Sequence, residues 1–460
     1  MLKKIISGSA SYYRHCCLIV TIISLTSIAA NAQNNTKSAR ISNPIIPGDF
    51  ADPCVLLYKD TVYIYATAAN IGSVWRSADM INWKLTKLNW PTSMRQPDVW
   101  APAVRQATDG NFYLYTSVNH QIYAGVAKHP LGPFKNILGD SVFIKDRQYW
   151  PKIHSIDADC FIDNDGQAYL YWGSGWDFKD GVCAVGRLNK DMASFKEKPV
   201  DITPAGYFEG PHMLRYKNKY YLMYSDGIYF NDSYKVRYAI GDSPTGPFVQ
   251  ASNSPILTSN LAKHVSGPGH HFTIKLNGQH YIVYHKHTYP FKNGQRQVCI
   301  DKLDFDDKGL IKPVITTDAG VNLFPKKRQV DHNLIKPVQI KVSADDGSFY
   351  KASYAADQNF GTRWLAPVGK DAFLEVDLGK IKKVTGVEPI FDSIMGSYDY
   401  TIEYSANGTD WTLFATAQNE NATEWPVRHS KRVNARHVRI NIKALDPGIQ
   451  AGLWELNIYQ

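Results

Sequence analysis

Apolar and polar residues follow one shared order in five segments of the chain: an apolar strand, a tight turn, and a second strand ending in alternating aromatic residues. The segments span residues 52–65, 101–115, 157–171, 209–224 and 269–284. Three of the turns contain Asp109-Gly110, Asp165-Gly166 and Asn277-Gly278, the kind of dipeptide that two-residue hairpin turns favour. Each segment is therefore predicted to form a β-hairpin.

The period of the repeat predicts how the hairpins assemble. The tyrosines that close the five segments are 50 to 60 residues apart, which leaves room for about four strands in each repeat. These tyrosines are Tyr65, Tyr115, Tyr171, Tyr224 and Tyr284. No run of the chain shows sustained helical periodicity, so an all-β protein is expected. Residues 43–325 are predicted to form a five-bladed β-propeller.

A different pattern follows a polar linker at residues 326–337. Phe373–Leu378 and His437–Ile442 alternate between apolar and polar residues, as half-buried strands do. Residues 338–460 are of a length that suits one β-sandwich. The propeller is thus expected to be followed by a second all-β domain.

The first 32 residues are typical of a secretory signal peptide. Lys3, Lys4 and Arg14 supply a basic start, residues 16–29 are apolar, and Ala30-Asn31-Ala32 offers a cleavage site. A transmembrane anchor is the alternative, but the short apolar run favours cleavage. The mature protein is expected to begin with a short segment, residues 33–42, to be secreted or periplasmic, and to have no stable membrane insertion.

Composition narrows the classes of partner. The 460 residues are 44% hydrophobic, 13% aromatic and 20% charged, which excludes a disordered chain. The net charge of +9 falls to +6 without the three basic residues of the signal peptide, and the other basic residues are dispersed among acids. Nucleic acid is therefore not an expected partner. The 28 Tyr and 11 Trp suit sugar faces, although such rings also fill β cores.

Five residues stand at the heads of the predicted hairpins: Asp52, Trp100, Asp157, Glu209 and His270. Because the inner strands of a propeller converge on one axis, these residues are expected to be neighbours. One acid at a strand start is typically a turn or capping residue, but three at matching positions indicate a site. Glycoside hydrolysis uses such a set, with one carboxylate activating water and a second, kept protonated by a neighbouring carboxylate, donating a proton. Inversion requires the two to lie roughly 6.5–9.5 Å apart.

The motifs that contain these residues resemble glycoside hydrolase family 43 across the whole of the predicted propeller. They are Gly48-Asp-Phe-Ala-Asp-Pro53, Trp100-Ala-Pro102, Ile156-Asp157, Tyr207-Phe-Glu-Gly-Pro-His212 and Gly267-Pro-Gly-His270. The resemblance implies an inverting glycosidase of the kinds found in that family, chiefly α-L-arabinofuranosidases, β-xylosidases, arabinanases and galactanases. It implies that Asp52 is the general base, that Glu209 is the general acid, and that Asp157 orients Glu209 and raises its pKa.

The resemblance also implies roles for residues around these acids. Trp100, His270 and Arg296 would bind substrate, and His270 would help to hold a structural Ca²⁺ or Na⁺ ion near the axis, although no cofactor is expected to be required. Each residue also has a purely structural alternative. Trp100 would pack between blades, His270 would be a hydrogen-bonded core residue, and Arg296 would form a surface salt bridge. Asp159 lies on the same face of a strand as Asp157 and is the rival for its role.

The C-terminal region resembles the discoidin or coagulation-factor C-type domain throughout its length. The motifs are Asn359–Trp364, Glu375–Gly379, Tyr400–Ser405, Arg436–Ile440 and Leu453–Leu456. The resemblance implies a jelly-roll sandwich, which beside a glycosidase commonly binds carbohydrate. Trp364, Trp411 and Trp454 fall within framework motifs and are interpreted as core residues.

The function predicted from the sequence is a secreted, inverting glycoside hydrolase. It would cleave terminal arabinofuranosyl or xylosyl residues, or galactosyl residues, from plant polysaccharides, with an oligo- or polysaccharide as its substrate partner. One alternative is a non-catalytic, glycan-binding propeller lectin, whose affinity for glycan would not depend on the carboxylates. The other is an endo-acting arabinanase or galactanase, which the sequence does not separate from an exo-acting enzyme.

Overall fold

A computed structural model describes residues 42–68, 73–88, 99–175, 177–291, 294–324, 334–347, 349–394, 396–421, 424–425 and 427–460. The predicted signal peptide, the segment 33–41 and most of the predicted linker lie outside these residues. Within them, no helix has the length and apolar character needed to cross a membrane.

All five predicted hairpins are present, and each begins a separate antiparallel sheet. The first two sheets contain β1 (Ala51–Tyr58), β2 (Thr61–Thr67), β3 (Ser73–Ser77) and β4 (Trp83–Lys87), then β5 (Val99–Gln106), β6 (Phe112–Val118), β7 (Gln121–Ala127) and β8 (Lys135–Asn136). The third and fourth contain β9 (Asp159–Ile162), β10 (Ala168–Trp172), β11 (Ala184–Arg187) and β12 (Val200–Asp201), then β13 (Glu209–Tyr216), β14 (Lys219–Asp226), β15 (Lys235–Gly241) and β16 (Phe248–Gln250). The prediction of a five-bladed propeller is confirmed.

The fifth sheet has three described strands, β17 (Gly269–Leu276), β18 (Gln279–His287) and β19 (Arg296–Leu303). The chain preceding β1 runs along the open edge of β19. The amide of Ile45 donates to the carbonyl of Val298 at 2.8 Å, and the amide of Phe50 donates to that of Arg296 at 2.8 Å. The first and last blades are therefore joined at the backbone, which places Asp52 beside Arg296.

Every inner strand enters the propeller through the same local distortion. In each blade one residue near the strand start has a left-handed backbone, and four of the five hairpins shift register there, as at a β-bulge. The left-handed residues are Asp52 (φ 51°), Ala101 (44°), Asp157 (60°), Gly210 (60°) and His270 (39°). Asp52, Asp157 and His270 are themselves the left-handed residues of their blades. Trp100 and Glu209 each come one residue before the left-handed residue of their blade.

Three of the repeat tyrosines tie one blade to the next. The hydroxyls of Tyr65, Tyr115 and Tyr171 each donate a 2.7 Å hydrogen bond to a backbone carbonyl of the following blade. The acceptors are Pro130, Met192 and Pro244. Tyr224 and Tyr284 lie one residue beyond the equivalent positions, because Met223 and Val283 pair with the inner strands where the earlier blades have tyrosine.

The C-terminal domain is built on one seven-stranded sheet that contains β20 (Gln339–Val342), β21 (Trp364–Leu365), β22 (Ala372–Phe391), β23 (Ser397–Ser405), β24 (Thr412–Asn421), β26 (His429–Ala444) and β27 (Gly452–Tyr459). The short strand β25 (Glu424–Trp425) pairs instead with β4 of the first blade. Two short 3₁₀ helices, Leu261–Lys263 and Ala352–Ala356, complete the regular elements of the described residues. The prediction of an all-β sandwich after the propeller is confirmed.

The tryptophans of the sandwich do not share one environment. Trp364 and Trp454 are fully buried, as predicted. Trp411 is only half-buried, and the guanidinium of Arg439 lies 4.0 Å from its ring centroid, so its interpretation as a core residue was wrong.

The sandwich packs against the first and fifth blades. Ile390, Ile394 and Trp454 belong to the same apolar cluster as the core of the first blade. At the fifth blade, the guanidinium of Arg363 donates to the side chain of Gln295 at 2.8 Å. The side chain of Gln297 donates to the carbonyl of Phe360 at 3.0 Å. The residues on both sides of Arg296 are therefore held by the C-terminal domain.

Candidate active site

A chain of hydrogen bonds passes from blade to blade around the propeller axis. A side chain at or near the end of the second strand of one blade accepts the amide proton of the left-handed residue in the next blade. The pairs are Thr67 with Ala101 at 2.9 Å, Ser117 with Asp157 at 3.0 Å, Ser225 with His270 at 2.9 Å, and His285 with Asp52 at 3.2 Å. These bonds fix the inner strand starts relative to one another, including those that carry Asp52 and Asp157.

The third blade departs from this pattern because Gly173 occupies the position of the accepting side chain. The amide of Gly173 donates to the carbonyl of Ile156, which places it opposite the strand start, and a Cβ there would lie 2.2 Å from the carbonyl oxygen of Val182. The amide of Gly210 donates instead to the carboxylate of Asp157. The missing side chain thus gives Asp157 a backbone donor from the blade that carries Glu209.

Asp52 is held as an ionised carboxylate. Its Oδ2 accepts from the hydroxyl of Thr67 at 2.7 Å, and its Oδ1 lies 3.0 Å from Nη1 of Arg296. Burial is the largest single influence and by itself would raise the pKa of Asp52, but the charge of Arg296, with smaller contributions from His270 and His285, outweighs it, and the pKa lies well below the usual range. The imidazole of His285 contributes no charge, because burial lowers its pKa to about 3 and its Nδ1 accepts the Asp52 amide.

Asp157 and Glu209 hold protons more tightly than ordinary carboxyls. Burial raises the pKa of Glu209 to about 7, while the hydroxyl of Tyr234, which donates to its Oε1 at 2.7 Å, opposes the rise. Burial and then the charge of Glu209 raise the pKa of Asp157 well above its usual range. The two therefore titrate as a pair, which can supply a proton near neutral pH.

Asp159 belongs to a separate network beneath the site. Its Oδ1 lies 2.8 Å from the guanidinium of Arg105, and its Oδ2 lies 2.9 Å from Nδ1 of His212. Arg105 and His212 belong to the second and fourth blades, so Asp159 joins three blades through its side chain. With both oxygens engaged there, Asp159 is poorly placed to act on Glu209, whereas Asp157 lies beside it.

The structure brings the remaining candidates to the same axis. His270 lies between the two aspartates, with Nδ1 3.3 Å from Oδ1 of Asp52 and 3.8 Å from Oδ2 of Asp157. Arg296 is largely buried and pairs with Asp52, so it is not the surface salt bridge that was the alternative. Trp100 is half-buried, with its ring edge-to-face against His120 at 5.1 Å.

The donors near the axis offer limited room for a cation. The ligand atoms of Asp157, Glu209 and His270 lie within 4.8 Å of one another. Three residues are few for Ca²⁺, which takes six to eight oxygen ligands from carboxylates, carbonyls and water. The adjoining axial cavity, lined in part by Asp52, Asp157 and His271, measures about 20 Å³, enough for about one water but not for a hydrated ion. A cation bound to Glu209 would also displace the proton that an acid must donate. The described residues therefore fit the predicted Ca²⁺ or Na⁺ ion poorly, and metal binding by His270 stays an untested prediction.

Several groups that shape the site were absent from the sequence prediction. Thr67, Ser117, Ser225 and His285 each lie one or two residues after a repeated aromatic strand end, so their recurrence was a signal available in the sequence. Tyr234 directly precedes β15, and nothing in the local sequence marks it as a partner of Glu209. The pairing of β13, β14 and β15 within the fourth blade brings it there.

Comparisons with known proteins find matches along most of the chain. The family model of the glycosyl hydrolases family 43 matches residues 41–311, and that of the F5/8 type C domain matches residues 339–456. A beta-D-galactofuranosidase of Aspergillus niger is 34% identical over 343 residues, covering 68% of this chain and 97% of that protein. A beta-xylosidase of Xylanibacter ruminicola is 29% identical over 248 residues, covering 45% of this chain and 71% of that protein.

Solved structures show the same likeness. A glycoside hydrolase aligns with a TM-score of 0.76 at 27% identity, covering 93% of this chain and 100% of that one. A thermostable family-43 glycoside hydrolase aligns with a TM-score of 0.52 at 31% identity, covering 61% of this chain and 97% of that one.

Proposed function

The chain belongs to glycoside hydrolase family 43 and is a glycosidase, and we propose that it acts by inversion on the terminal sugars of plant polysaccharides. Asp52 is the general base that activates water, Glu209 is the general acid, and Asp157 orients Glu209. The mature protein acts outside the cytoplasm, as a secreted or periplasmic enzyme, after loss of residues 1–32.

The opposite proton affinities of Asp52 and Glu209 carry this proposal. A general base must be ionised, and Arg296 keeps Asp52 in that form over the whole neutral range. A general acid must hold a proton at the working pH, and burial gives Glu209 a pKa of about 7. One turnover moves a proton from water to Asp52 and another from Glu209 to the leaving oxygen, as a single displacement requires.

The proposed substrates are terminal α-L-arabinofuranosyl or β-D-xylosyl residues, with terminal β-D-galactofuranosyl residues as the third class. The relatives include a beta-D-galactofuranosidase, a beta-xylosidase and xylosidase/arabinosidases, which together span these three sugars. The burial of Asp52, Asp157 and Glu209, each no more than 9% exposed, supports a site that admits one sugar at its deep end.

The test is a release assay on arabinan, arabinoxylan, galactan and a polysaccharide with terminal β-D-galactofuranosyl residues, together with the 4-nitrophenyl glycosides of the three sugars. The anomeric configuration of the first-formed product is followed by proton NMR. We expect a single released monosaccharide of inverted configuration. Retention would overturn the proposed mechanism, and release of oligosaccharides from the polymers would overturn exo action.

A further inference from the structure

Four aromatic rings form a cluster beside the catalytic carboxylates. The ring centroid of Phe178 lies 5.8 Å from that of Phe208, 6.0 Å from that of Tyr229 and 5.3 Å from that of Phe230. Phe208 is buried, but Phe178 and Phe230 are 41% and 48% exposed. Large apolar side chains exposed singly are ordinary, whereas two in contact at the edge of a functional site indicate a binding surface.

The cluster is attached to both sides of the catalytic machinery. Phe208 directly precedes Glu209 in the chain. On the other side, the guanidinium carbon of Arg296, which pairs with Asp52, lies 4.8 Å from the ring centroid of Tyr229. A molecule resting on the exposed rings therefore lies next to the groups that act on the glycosidic bond.

The backbone that carries Phe178 is held in an unfavourable conformation. Asp177, Phe178 and Asp180 have φ angles of 48°, 61° and 48°, a region that residues with a Cβ rarely adopt. The same loop packs on the segment before Glu209, since a Cβ at Gly181 would lie 2.3 Å from the carbonyl oxygen of Phe208. Strained residues of this kind persist where the surroundings fix them, and they concentrate at ligand-binding sites.

We propose that Phe178 and Phe230 form the subsite that binds the leaving-group sugar of the substrate. This inference rests on the proposed function. The terminal sugar occupies the buried end of the site between Asp52 and Glu209, so the sugar that departs with the proton of Glu209 must lie further out. The exposed rings are there, and the apolar face of a sugar packs on such rings as it does on other aromatic platforms.

The test compares two substrates whose leaving groups are both alcohols but differ in size. They are α-1,5-linked arabinotriose and methyl α-L-arabinofuranoside, replaced by β-1,4-linked xylotriose and methyl β-D-xyloside if the enzyme prefers xylose. Phe178→Ala and Phe230→Ala are each expected to lower kcat/KM on the trisaccharide about tenfold. The loss on the trisaccharide should exceed the loss on the methyl glycoside at least fivefold, because methanol is too small to reach the rings. Phe178→Trp, which keeps an aromatic ring, should retain most of the kcat/KM on the trisaccharide that Phe178→Ala loses.

The matched control is Phe349→Ala, which removes a 60% exposed ring from the C-terminal domain and should leave both rate constants near those of the wild type. Equal losses on the two substrates would mean that the rings only support Glu209, and would overturn the subsite. A second measurement, the Kd of arabinotriose and xylotriose by calorimetry in an Asp52→Asn background, does not require turnover. Unchanged affinity on adding Phe178→Ala would also overturn the subsite, whereas a wild-type enzyme that cleaves neither substrate pair nor the corresponding β-D-galactofuranosides would overturn the proposed function instead.

Discussion

Asp52 and Glu209 begin equivalent inner strands of different blades, yet their surroundings give them opposite affinities for a proton. Both are buried, and burial by itself raises the pKa of either carboxyl. Asp52 has Arg296 at 3.0 Å, whose charge, together with smaller contributions from His270 and His285, outweighs burial. Glu209 has the neutral hydroxyl of Tyr234 and a second carboxylate, Asp157, beside it. Neighbours rather than position in the repeat therefore separate the proposed base from the proposed acid.

The difference in proton affinity between Asp52 and Glu209 also explains why the site has an arginine, Arg296, beside Asp52 and a third carboxylate, Asp157, beside Glu209. Arg296 lowers the pKa of both Asp52 and Glu209, but its direct contact is with Asp52. Asp157 and Glu209 repel each other when both are ionised, which keeps a proton on that side. The difference between Asp52 and Glu209 can be tested by removing either carboxylate or by changing one of their neighbours at a time.

The largest effect is expected from removing the carboxylates themselves. Asp52→Ala should lower kcat by about 10³-fold or more on every substrate, because no group replaces the base. Glu209→Ala should cause a loss of about 10²–10⁴-fold on polysaccharide but a much smaller one on a 4-nitrophenyl glycoside, whose leaving group needs no proton. Initial rates on the two substrates check this. Equal losses for Glu209→Ala on both would contradict its role as the acid, and Asp165→Asn, in an exposed hairpin turn, serves as the control.

A smaller effect is expected from Arg296→Met, which leaves Asp52 buried without its positive partner. The pKa of Asp52 should rise, so the acid limb of the kcat/KM profile should move about 1–3 units to higher pH. Arg296→Lys keeps the charge and should recover part of the shift. A pH profile of kcat/KM for the three proteins measures it, and an unmoved acid limb would show that Arg296 does not control the ionisation of Asp52.

The smallest effect is expected from Tyr234→Phe. The lost hydrogen bond stabilises ionised Glu209, so its removal should raise the pKa of Glu209 further and move the basic limb by up to about one unit to higher pH. Tyr224→Phe removes a hydroxyl that donates to the carbonyl of Ala205 outside the site and provides the matched control. A basic limb that moves to lower pH, or moves equally in the control, would contradict this account.

The propeller could be predicted because each repeat contains a pattern of neighbouring residues typical of a β-hairpin, namely an apolar strand, a tight turn and a strand with alternating aromatic residues. The neighbourhood of Asp52, Asp157 and His270 followed from that repeat. The contacts of Arg296 and Tyr234 did not, because these side chains reach the carboxylates from other strands, over separations that no local pattern encodes. The partial exposure of Trp411 was not predicted either. A framework motif in the sequence does not specify which of its side chains the rest of the domain will bury.

By itself the sequence determined the fold class, the order of the domains, and the acids that meet at the axis, because hairpin pattern and repeat period depend only on residues close in the chain. Tertiary structure decided which acid is ionised, since the pKa of a buried carboxyl depends on charges and donors within a few ångströms. It also decided that Asp159 joins three blades while Asp157 lies beside Glu209. Only Ala158 separates these aspartates, but the left-handed backbone at Asp157 directs its side chain to a different network from that of Asp159.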